Sequence, residues 1–410
     1  MSNSANASQT IPSKSSGIVP KSNQAIIFIT VTLFVIGAIW LGNAFSSKQS
    51  ALYVLGGFLG LALYHAHYGF TSSFRYFLSD KKGVGIRAQM ILFVITNLLF
   101  LPFLLKGTMF GHPIAASVSP VGVSLLFGAF LFGIGMQMGD GCASGTLYHL
   151  GGGDARSVIT LVGFIIGSVI GSAHFTWWAN LPHLQPISFI QSFGTVGGLA
   201  LNLLIIAIVF LITILVERRR YGKLETVFGN EPFSFNTLLH GPWSWMTGTI
   251  ALAIGGIAFL LIAGKPWGIT SAFALWGSKI AGAIGVPVET WGYWQSVPNA
   301  AALHASVFHD GTTVSDIGIM LGALLAVALS GKAIRFSLRS YPFKMLVGLF
   351  IGGILMGYGA RLAFGCNIGA YFSGVASFSL HGWVWMVMAM LGSLIGIQFR
   401  NSCGFKRKNS

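Results

Sequence analysis

The sequence predicts an all-α polytopic membrane protein with about ten spans, two inverted repeats, and glycine-rich broken helices or re-entrant loops that meet near the membrane midplane. Three observations support this fold class. Charged residues make up only 8% of the 410-residue chain, whereas a soluble protein contains about 25%. Apolar segments long enough to cross a bilayer follow one another along the chain. Two glycine-rich motifs recur in the same order in both halves.

The apolar windows define the spans. A spanning helix needs about 20 predominantly apolar residues. The run from Ala25 to Leu41 is longer than the core of a signal peptide, about 7–15 residues, and further spans follow it, so we interpret it as a retained helix. The predicted spans are 24–43, 51–68, 88–105, 121–138, 157–178, 196–216, 246–263, 315–331, 345–360 and 380–399.

Polar segments divide the chain into two halves. Residues 1–23 are rich in Ser, Asn and Gln, which predicts a disordered cytoplasmic tail. Residues 24–216 form the first half with repeat 1, and residues 244–400 form the second half with repeat 2. Between them, 217–243 is a polar cytoplasmic linker, and 401–410 is a basic cytoplasmic tail.

The net charge of +15 comes from short basic clusters between the apolar runs. This placement is typical of cytoplasmic loops in a polytopic membrane protein, and it argues against nucleic-acid binding. With both termini in the cytoplasm, 19 of the 24 Lys and Arg fall on the cytoplasmic side. The exceptions are Lys48, Lys106, Lys265, Lys279 and Arg361.

The halves repeat each other at two motifs. The segment GGFLGLALYHAHYGFTSSF (Gly56–Phe74) aligns without a gap on GGIAFLLIAGKPWGITSAF (Gly255–Phe273). The segment GIGMQMGDGCASG (Gly133–Gly145) aligns on GYGARLAFGCNIG (Gly357–Gly369). An odd number of predicted spans separates equivalent points, so the repeats are inverted. Inverted repeats with broken helices are a transporter plan, although a duplication that only supports folding is the alternative.

The breaks at the repeated motifs are candidate anion sites. Backbone amides without partners are costly in hydrocarbon, so the breaks must face protein or a watery cavity. Helix N-termini and free N–H groups favour anions. Thr71, Ser72, Thr270 and Ser271 add hydroxyl donors at equivalent places, unless each hydroxyl only bonds its own helix backbone. The breaks are Tyr68–Arg75, Gly139–Gly153, Trp267–Gly277 and Gly359–Gly369.

Cys142 and Cys366 occupy equivalent positions in the second motif. A lone buried Cys is usually a small hydrophobic residue. Here both thiols lie between glycines that leave the sulfur sterically open, so they are candidate soft contacts for a sulfur-bearing anion, or nucleophiles if a positive field lowers their pKa. We expect no metal and no cofactor, since two thiols fall short of the four ligands of zinc. The flanking candidates are Gly141, Gly145, Gly365, Gly369, Ser144 and Asn367.

Asp140 and Arg361 are ionisable residues near the same motifs and are functional candidates by default. They are not repeat mates, because Gln137 aligns with Arg361 and Phe364 aligns with Asp140. The alternative is that both lie at helix ends, where they meet water or headgroups. Arg75 either meets anions at the inner mouth or follows the positive-inside rule.

Three segments resemble the YeeE/YedE family of bacterial inner-membrane proteins. They are FTSSFR (70–75), GDGCASGTLYHLGGG (139–153) and GARLAFGCNIG (359–369). The resemblance implies uptake of a small sulfur-containing anion, thiosulfate in one branch and a selenium compound in another. It also implies an hourglass-shaped interior in which Cys142 and Cys366 pass the substrate along. Expected partners are the anion, the lipid bilayer and a cytoplasmic sulfur-accepting protein.

One position departs from that resemblance. Many members of the family carry a further Cys directly before the first FTS, where this chain has Gly69, and the repeat mate is Gly268. A relay of three thiols is therefore not expected here, so either two thiols suffice or the substrate differs. The expected function is transport rather than catalysis. Two alternatives stay open: a membrane sulfurtransferase that forms a Cys persulfide, and a scaffold subunit.

Overall fold

The computed structural model describes residues 23–109, 111–229, 234–332, 336–339 and 341–405. The predicted N-terminal tail lies outside the described residues apart from Asn23. So do 230–233 of the linker and 406–410 of the basic tail.

The first half of the described chain is helical, with two small antiparallel strand pairs. Strand β1 (Thr108–Met109) pairs with β2 (His112–Pro113), and β3 (Val121–Gly122) pairs with β4 (His183–Leu184). The helices are α1 (Gln24–Ala44), α2 (Ser47–Ala66), α3 (Phe70–Asp80), α4 (Val84–Lys106), α5 (Val123–Met138), α6 (Ala143–Gly151), α7 (Arg156–Ala179) and α8 (Phe189–Tyr221).

The second half adds nine α-helices, two 3₁₀ turns (Val288–Thr290 and Val307–His309) and a π-helical turn (Asn367–Phe372) in the described ranges. The π-helical turn leads directly into α16, so the two act as one short broken helix. The helices are α9 (Phe235–His240), α10 (Trp245–Ala263), α11 (Thr270–Ala283), α12 (Gly292–Gln295), α13 (Val297–His304), α14 (Gly311–Leu329), α15 (Phe343–Leu362), α16 (Ser373–Ala376) and α17 (Leu380–Ser402).

Nine helical segments of the described chain are long and apolar enough to cross a membrane. Each overlaps one of the predicted spans, and the all-α polytopic fold class is confirmed. The remaining predicted span, 51–68, corresponds to α2, a helix of 20 residues that is not among those nine. Helix α2 packs against α1, α10 and α14, so it does not need a fully apolar surface.

Helices from the two halves pair in a reciprocal pattern. Helix α2 packs on α14 while its repeat mate α10 packs on α4, and α5 packs on α17 while its mate α15 packs on α7. The mates α2 and α10 also pack on each other, as do α5 and α15. The side-chain ammonium of Lys48, at the start of α2, donates to the carbonyl of Ala263, at the end of α10, over 3.1 Å. The mates therefore run in opposite directions, as an inverted repeat requires.

Glycines at equivalent positions permit the closest of these helix contacts. A Cβ atom on Gly133 of α5 would collide with the carbonyl oxygen of Ala389 on α17. A Cβ atom on its repeat mate Gly357 of α15 would collide in the same way with the carbonyl oxygen of Phe164 on α7. Small residues let membrane helices approach backbone to backbone, which explains why both halves keep glycine here.

Two predicted boundaries differ from the observed helices. Helix α8 continues to Tyr221, past the predicted start of the linker at 217, with a break at Gly194 (φ +72°). Glu217 is buried because it pairs with buried Arg87 at 2.7 Å, so the polar ERRR signal marks a helix end rather than a loop. Helix α14 begins at Gly311, earlier than predicted, because the Asp310 side chain caps it by accepting from the backbone N–H of Thr313.

Both ends of the described chain lie on the same face of the helix bundle. The backbone N–H of Asn23 bonds the last turn of α14, and Lys332, just after α14, lies over the ring of Tyr64 near the end of α2. Arg400, near the end of α17, reaches Asp140 just after α5. The order of the long helices thus returns the chain to the face on which it starts.

Candidate functional site

The first of two matched cavities, the Thr71 vestibule, has a volume of about 360 Å³. The N-termini of two short helices open into it, α3 through Gly69–Ser72 and α6 through Gly141–Gly145. Both short helices therefore present the positive ends of their dipoles to one cavity, which favours an anion. Its lining also includes His67, Arg75, Tyr76, Asp140, Tyr148, His149 and Trp245.

The second cavity, the Thr270 vestibule, has a volume of about 350 Å³. It is built from the equivalent residues of the other repeat: Gly268–Ser271 at the start of α11, and Gly365 and Gly369 at the π-helical turn. Lys265 and Arg361 line it, and its lining residues include no Asp or Glu. The two vestibules share no lining residue, so they are separate cavities in this state.

Cys142 and Cys366 lie at the protein layer that separates the vestibules: Cys142 lines the Thr71 vestibule, and Cys366 is buried between Gly365 and Gly369, which line the Thr270 vestibule. Cys142 is 2% exposed and precedes α6, and Cys366 is fully buried and precedes the π-helical turn. Each follows a turn of positive φ at a non-glycine residue, Asp140 (φ 59°) and its repeat mate Phe364 (φ 60°). The two thiols are near enough to interact electrostatically. The inverted repeat therefore delivers one thiol from each half to the same buried layer.

Aromatic side chains surround the thiol layer. Tyr371, one turn after Cys366, is fully buried and stacks on Trp385 with ring centroids 6.0 Å apart. Edge-on contacts with Phe70 and Phe93 complete the cluster. These rings fill the centre of the bundle, so an ion that crosses it must displace them or pass beside them.

Asp140 is the centre of an ion cluster at the Thr71 vestibule. Its carboxylate lies 2.7 Å from Arg400, 3.5 Å from Arg75 and 3.5 Å from Arg156. Arg156 also pairs with Asp154 at 2.6 Å. Burial raises the pKa of Asp154, but the hydrogen bonds and charge of Arg156 outweigh that effect and the pKa is lowered. Three guanidinium groups thus share two carboxylates, which leaves the cluster with a net positive charge.

Arg361 is fixed in the wall of the Thr270 vestibule. Its guanidinium donates to the hydroxyl of Thr270 at 2.8 Å and to the hydroxyl of Tyr293 at 2.6 Å, and its Nε has no partner. The repeat mate Gln137 makes the corresponding contact, donating to the backbone oxygen of Thr71 at 3.3 Å. At equivalent positions, the first repeat therefore has the neutral amide of Gln137 and the second repeat has the cationic guanidinium of Arg361.

The structure groups the sequence-predicted site residues by repeat. Gly141, Cys142, Gly145, Thr71, Ser72, Asp140 and Arg75 line the Thr71 vestibule. Gly365, Gly369, Thr270, Ser271 and Arg361 line the Thr270 vestibule. Cys366 and Asn367 are fully buried and line neither cavity, and Ser144 lies behind Cys142, its hydroxyl 3.3 Å from the sulfur.

Sequence reasoning missed several residues of this site. Arg156 and Arg400 belong to the Asp140 cluster, Lys265 and Tyr293 line the Thr270 vestibule, and Thr312 joins it from α14. Arg156 is an isolated Arg in the sequence, and the basic cluster that contains Arg400 signalled only membrane orientation. For Tyr293 the available signal was its position in residues 286–312, where the second half is longer than the first between the two motifs. Tyr293 and Thr312 of this insert line the vestibule.

Cysteine labelling will determine which vestibule faces the periplasm. Nothing lies within 4 Å of the Cβ position of Gly268, so Gly268→Cys places a thiol in the open Thr270 vestibule. Ser402→Cys places one on the exposed end of α17, on the opposite face. In a Cys403→Ser background, a membrane-impermeant maleimide should label Gly268→Cys in intact cells and Ser402→Cys only after permeabilisation. The reverse pattern would contradict the orientation predicted from charge. The background protein serves as the control, since Cys142 and Cys366 are buried.

Comparison with known proteins adds independent information. The family described as Sulphur transport matches residues 65–395. The chain is 27% identical to the thiosulfate transporter TsuA of Spirochaeta thermophila over 360 residues, which cover 83% of this chain and 96% of that protein. It is 24% identical to TsuA of Escherichia coli K12, with 85% and 93% covered. It is 32% identical to the probable transporter YedE of Escherichia coli K12 over 157 residues, and this match spans only 38% of either chain.

Proposed function

Since the chain belongs to the sulphur transport family, we propose that it carries thiosulfate, a small sulfur-containing anion, across the bacterial inner membrane into the cytoplasm. The similarity to two proteins named thiosulfate transporters, over more than four fifths of this chain, supports the choice of anion. The carrying observation is structural: two cavities of nearly equal size, built from equivalent residues, lie on either side of a layer that holds one thiol from each repeat.

Charge favours an anion in both vestibules. The Thr270 vestibule has Lys265 and Arg361 without an acidic residue in its lining. At the Thr71 vestibule, Asp140 occupies the guanidinium groups of Arg75 and Arg400. An arriving anion competes with this carboxylate for the same donors, so it is held and then released. Helix N-termini at both sites replace part of the hydration shell that the anion loses.

The thiols select the chemical type of the anion. A thiol is a weak hydrogen-bond donor and weak acceptor, so it binds a polarisable sulfur atom without the grip of a charged group. Cys366 and Cys142 would contact the terminal sulfur in turn as the anion crosses the closed layer. Because the vestibules do not connect in this state, transfer requires movement of the short helices that carry the thiols, consistent with alternating access in inverted-repeat transporters.

Orientation follows from the positive-inside rule. The face that carries the Thr71 vestibule also carries Lys81, Lys82 and the run Arg218–Arg220. We therefore assign this face, with both chain ends, to the cytoplasm. A cytoplasmic protein that accepts the sulfur would meet the anion at the arginines around Asp140.

A flux assay tests this function. Purified protein in liposomes should take up radiolabelled thiosulfate, and unlabelled thiosulfate should compete better than sulfate, because sulfate lacks the soft terminal sulfur. Preferential competition by selenite or selenate would assign the chain to selenium transport instead. A covalent persulfide on Cys142 or Cys366 detected by mass spectrometry, without any flux, would contradict transport and indicate a sulfurtransferase.

A further inference from the structure

Asp316 is a buried carboxyl group that the proposed transport path leaves unexplained. It lies on α14, more than one helical turn inside the first residue Gly311. It is fully buried, and within the described part of the chain neither carboxylate oxygen has a hydrogen-bond partner. An ionised carboxylate in such a place would lose its hydration without any compensation. An ionisable residue inside a membrane segment is a functional candidate by default.

Among the residues that the structure describes, no cation pairs with Asp316. Within electrostatic range are Asp310, which is also acidic, and the thiol of Cys366. Helix α1 carries no titratable side chain. None of the titratable groups on the other elements packed against α14 hydrogen-bonds Asp316, whose two carboxylate oxygens lack partners among the described residues. These groups are Lys48, Tyr53, Tyr64 and His65 on α2, Tyr148 and His149 on α6, His240 on α9, Lys279 on α11 and His309 in the preceding 3₁₀ turn. Such surroundings favour the neutral, protonated form of a carboxyl group over the charged one.

Asp316 lies near both the Thr270 vestibule and the Cys366 thiol. One turn toward the start of α14, Thr312 lines the Thr270 vestibule, and its hydroxyl accepts from the hydroxyl of Ser271 at 3.1 Å. These hydroxyls connect the open cavity to the turn above Asp316. On the other side, Asp316 is within electrostatic range of the Cys366 thiol. A negative charge on Asp316 would repel an anion at Cys366, and a bound proton removes that repulsion.

We propose that Asp316 is a proton-binding site and that the anion enters the thiol layer only when this carboxyl group is protonated, so that anion and proton move inward together. The inference rests on the proposed function, and it supplies an energy source, the proton gradient. No bond other than that of the proton is made or broken. The proton binds from the Thr270 vestibule and leaves toward the cytoplasm once the anion has passed.

Proteoliposomes with a trapped pH-sensitive dye test the coupling. For the wild-type protein, an acid-outside gradient should accelerate thiosulfate uptake several-fold, and uptake without a gradient should acidify the interior. Asp316→Asn keeps the size of the protonated group, so its uptake should proceed at the same rate with and without the gradient and should no longer acidify the interior. Glu289→Gln, which changes an exposed carboxylate on the Thr270-vestibule face, is the matched control and should behave as wild type.

Three results would overturn the proposal. The first is acceleration by the pH gradient that persists in Asp316→Asn, and the second is uptake that responds to a sodium gradient instead. The third is spectroscopic. At neutral pH, wild-type protein should show the carbonyl-stretching infrared band of a buried protonated carboxyl group, and Asp316→Asn should lack this band. Absence of the band from the wild-type protein would show that no proton is bound. This band is measured without transport, so failure of wild-type protein to move any sulfur anion would contradict the proposed function separately.

Discussion

Cys366→Ala should lower thiosulfate uptake at least about tenfold, equivalent to about 1.4 kcal/mol, while the protein still reaches the membrane. The thiol is fully buried at the start of the π-helical turn, in the layer that closes the passage. Removing one small side chain there should cost only about 1 kcal/mol of folding free energy. The measurement is growth on thiosulfate as sole sulfur source, together with the quantity of protein in the membrane.

Cys366→Ser tests whether uptake depends on the polarisability of the side chain at position 366 or only on its volume. Serine keeps the size of cysteine but replaces a polarisable sulfur with a hard hydroxyl, which in a buried site also needs a hydrogen-bond partner. The neighbouring Asn367 offers one, since both atoms of its side-chain amide lack partners. If the thiol acts as a soft contact, Ser should fail nearly as badly as Ala. Rescue by Ser would show that only volume matters.

The chain provides a matched control for these variants. Cys403 lies at the end of α17 beside Gly348, away from both vestibules, so Cys403→Ala should leave uptake unchanged. Cys142 should follow Cys366. Full uptake in the Cys142→Ala/Cys366→Ala double variant would contradict the thiol relay and leave an anion path lined by backbone amides.

The internal repeat explains how much of the architecture could be predicted. The aligned positions of Thr71 with Thr270, and of Cys142 with Cys366, fall at equivalent places in the two vestibules and the layer between them. The motifs could be aligned from the sequence because each of them is local: a thiol and the glycines around it lie within a few residues of one another in the chain. Helix boundaries were less accurate, since charge at a helix end looks like a loop; Glu217 is buried in α8 because its partner is distant Arg87.

The rest of the site depends on contacts between distant segments. Asp140 meets Arg400 across 260 residues of chain, and no local pattern reports that pairing. The sequence did contain a signal for Asp316, because it is a single acidic residue in an apolar run. However, the predicted span began at residue 315, so Asp316 was expected at the membrane border. Recognising Asp310 as the helix cap moves the start of α14 outward by four residues, from 315 to 311, and puts Asp316 inside.

Arg361→Ala should lower the efficiency of uptake by roughly 10- to 150-fold, since a hydrogen bond to a charged group contributes about 1.5–3 kcal/mol. The guanidinium is 6% exposed, is held by Thr270 and Tyr293, and lines the Thr270 vestibule, where its charge can attract an anion. Arg361→Lys keeps the charge but cannot bond both hydroxyls in a planar fork, so it should restore only part of the loss. The measurement is the initial rate of uptake in liposomes over a range of thiosulfate concentrations.

Exposed Lys265 lines the same vestibule and is the control: Lys265→Gln should weaken uptake by less than about threefold and only at low salt, where exposed charges are poorly screened. Equal losses for Arg361→Ala and Lys265→Gln would mean that the vestibule attracts anions by net charge alone and that the fixed geometry of Arg361 has no separate role.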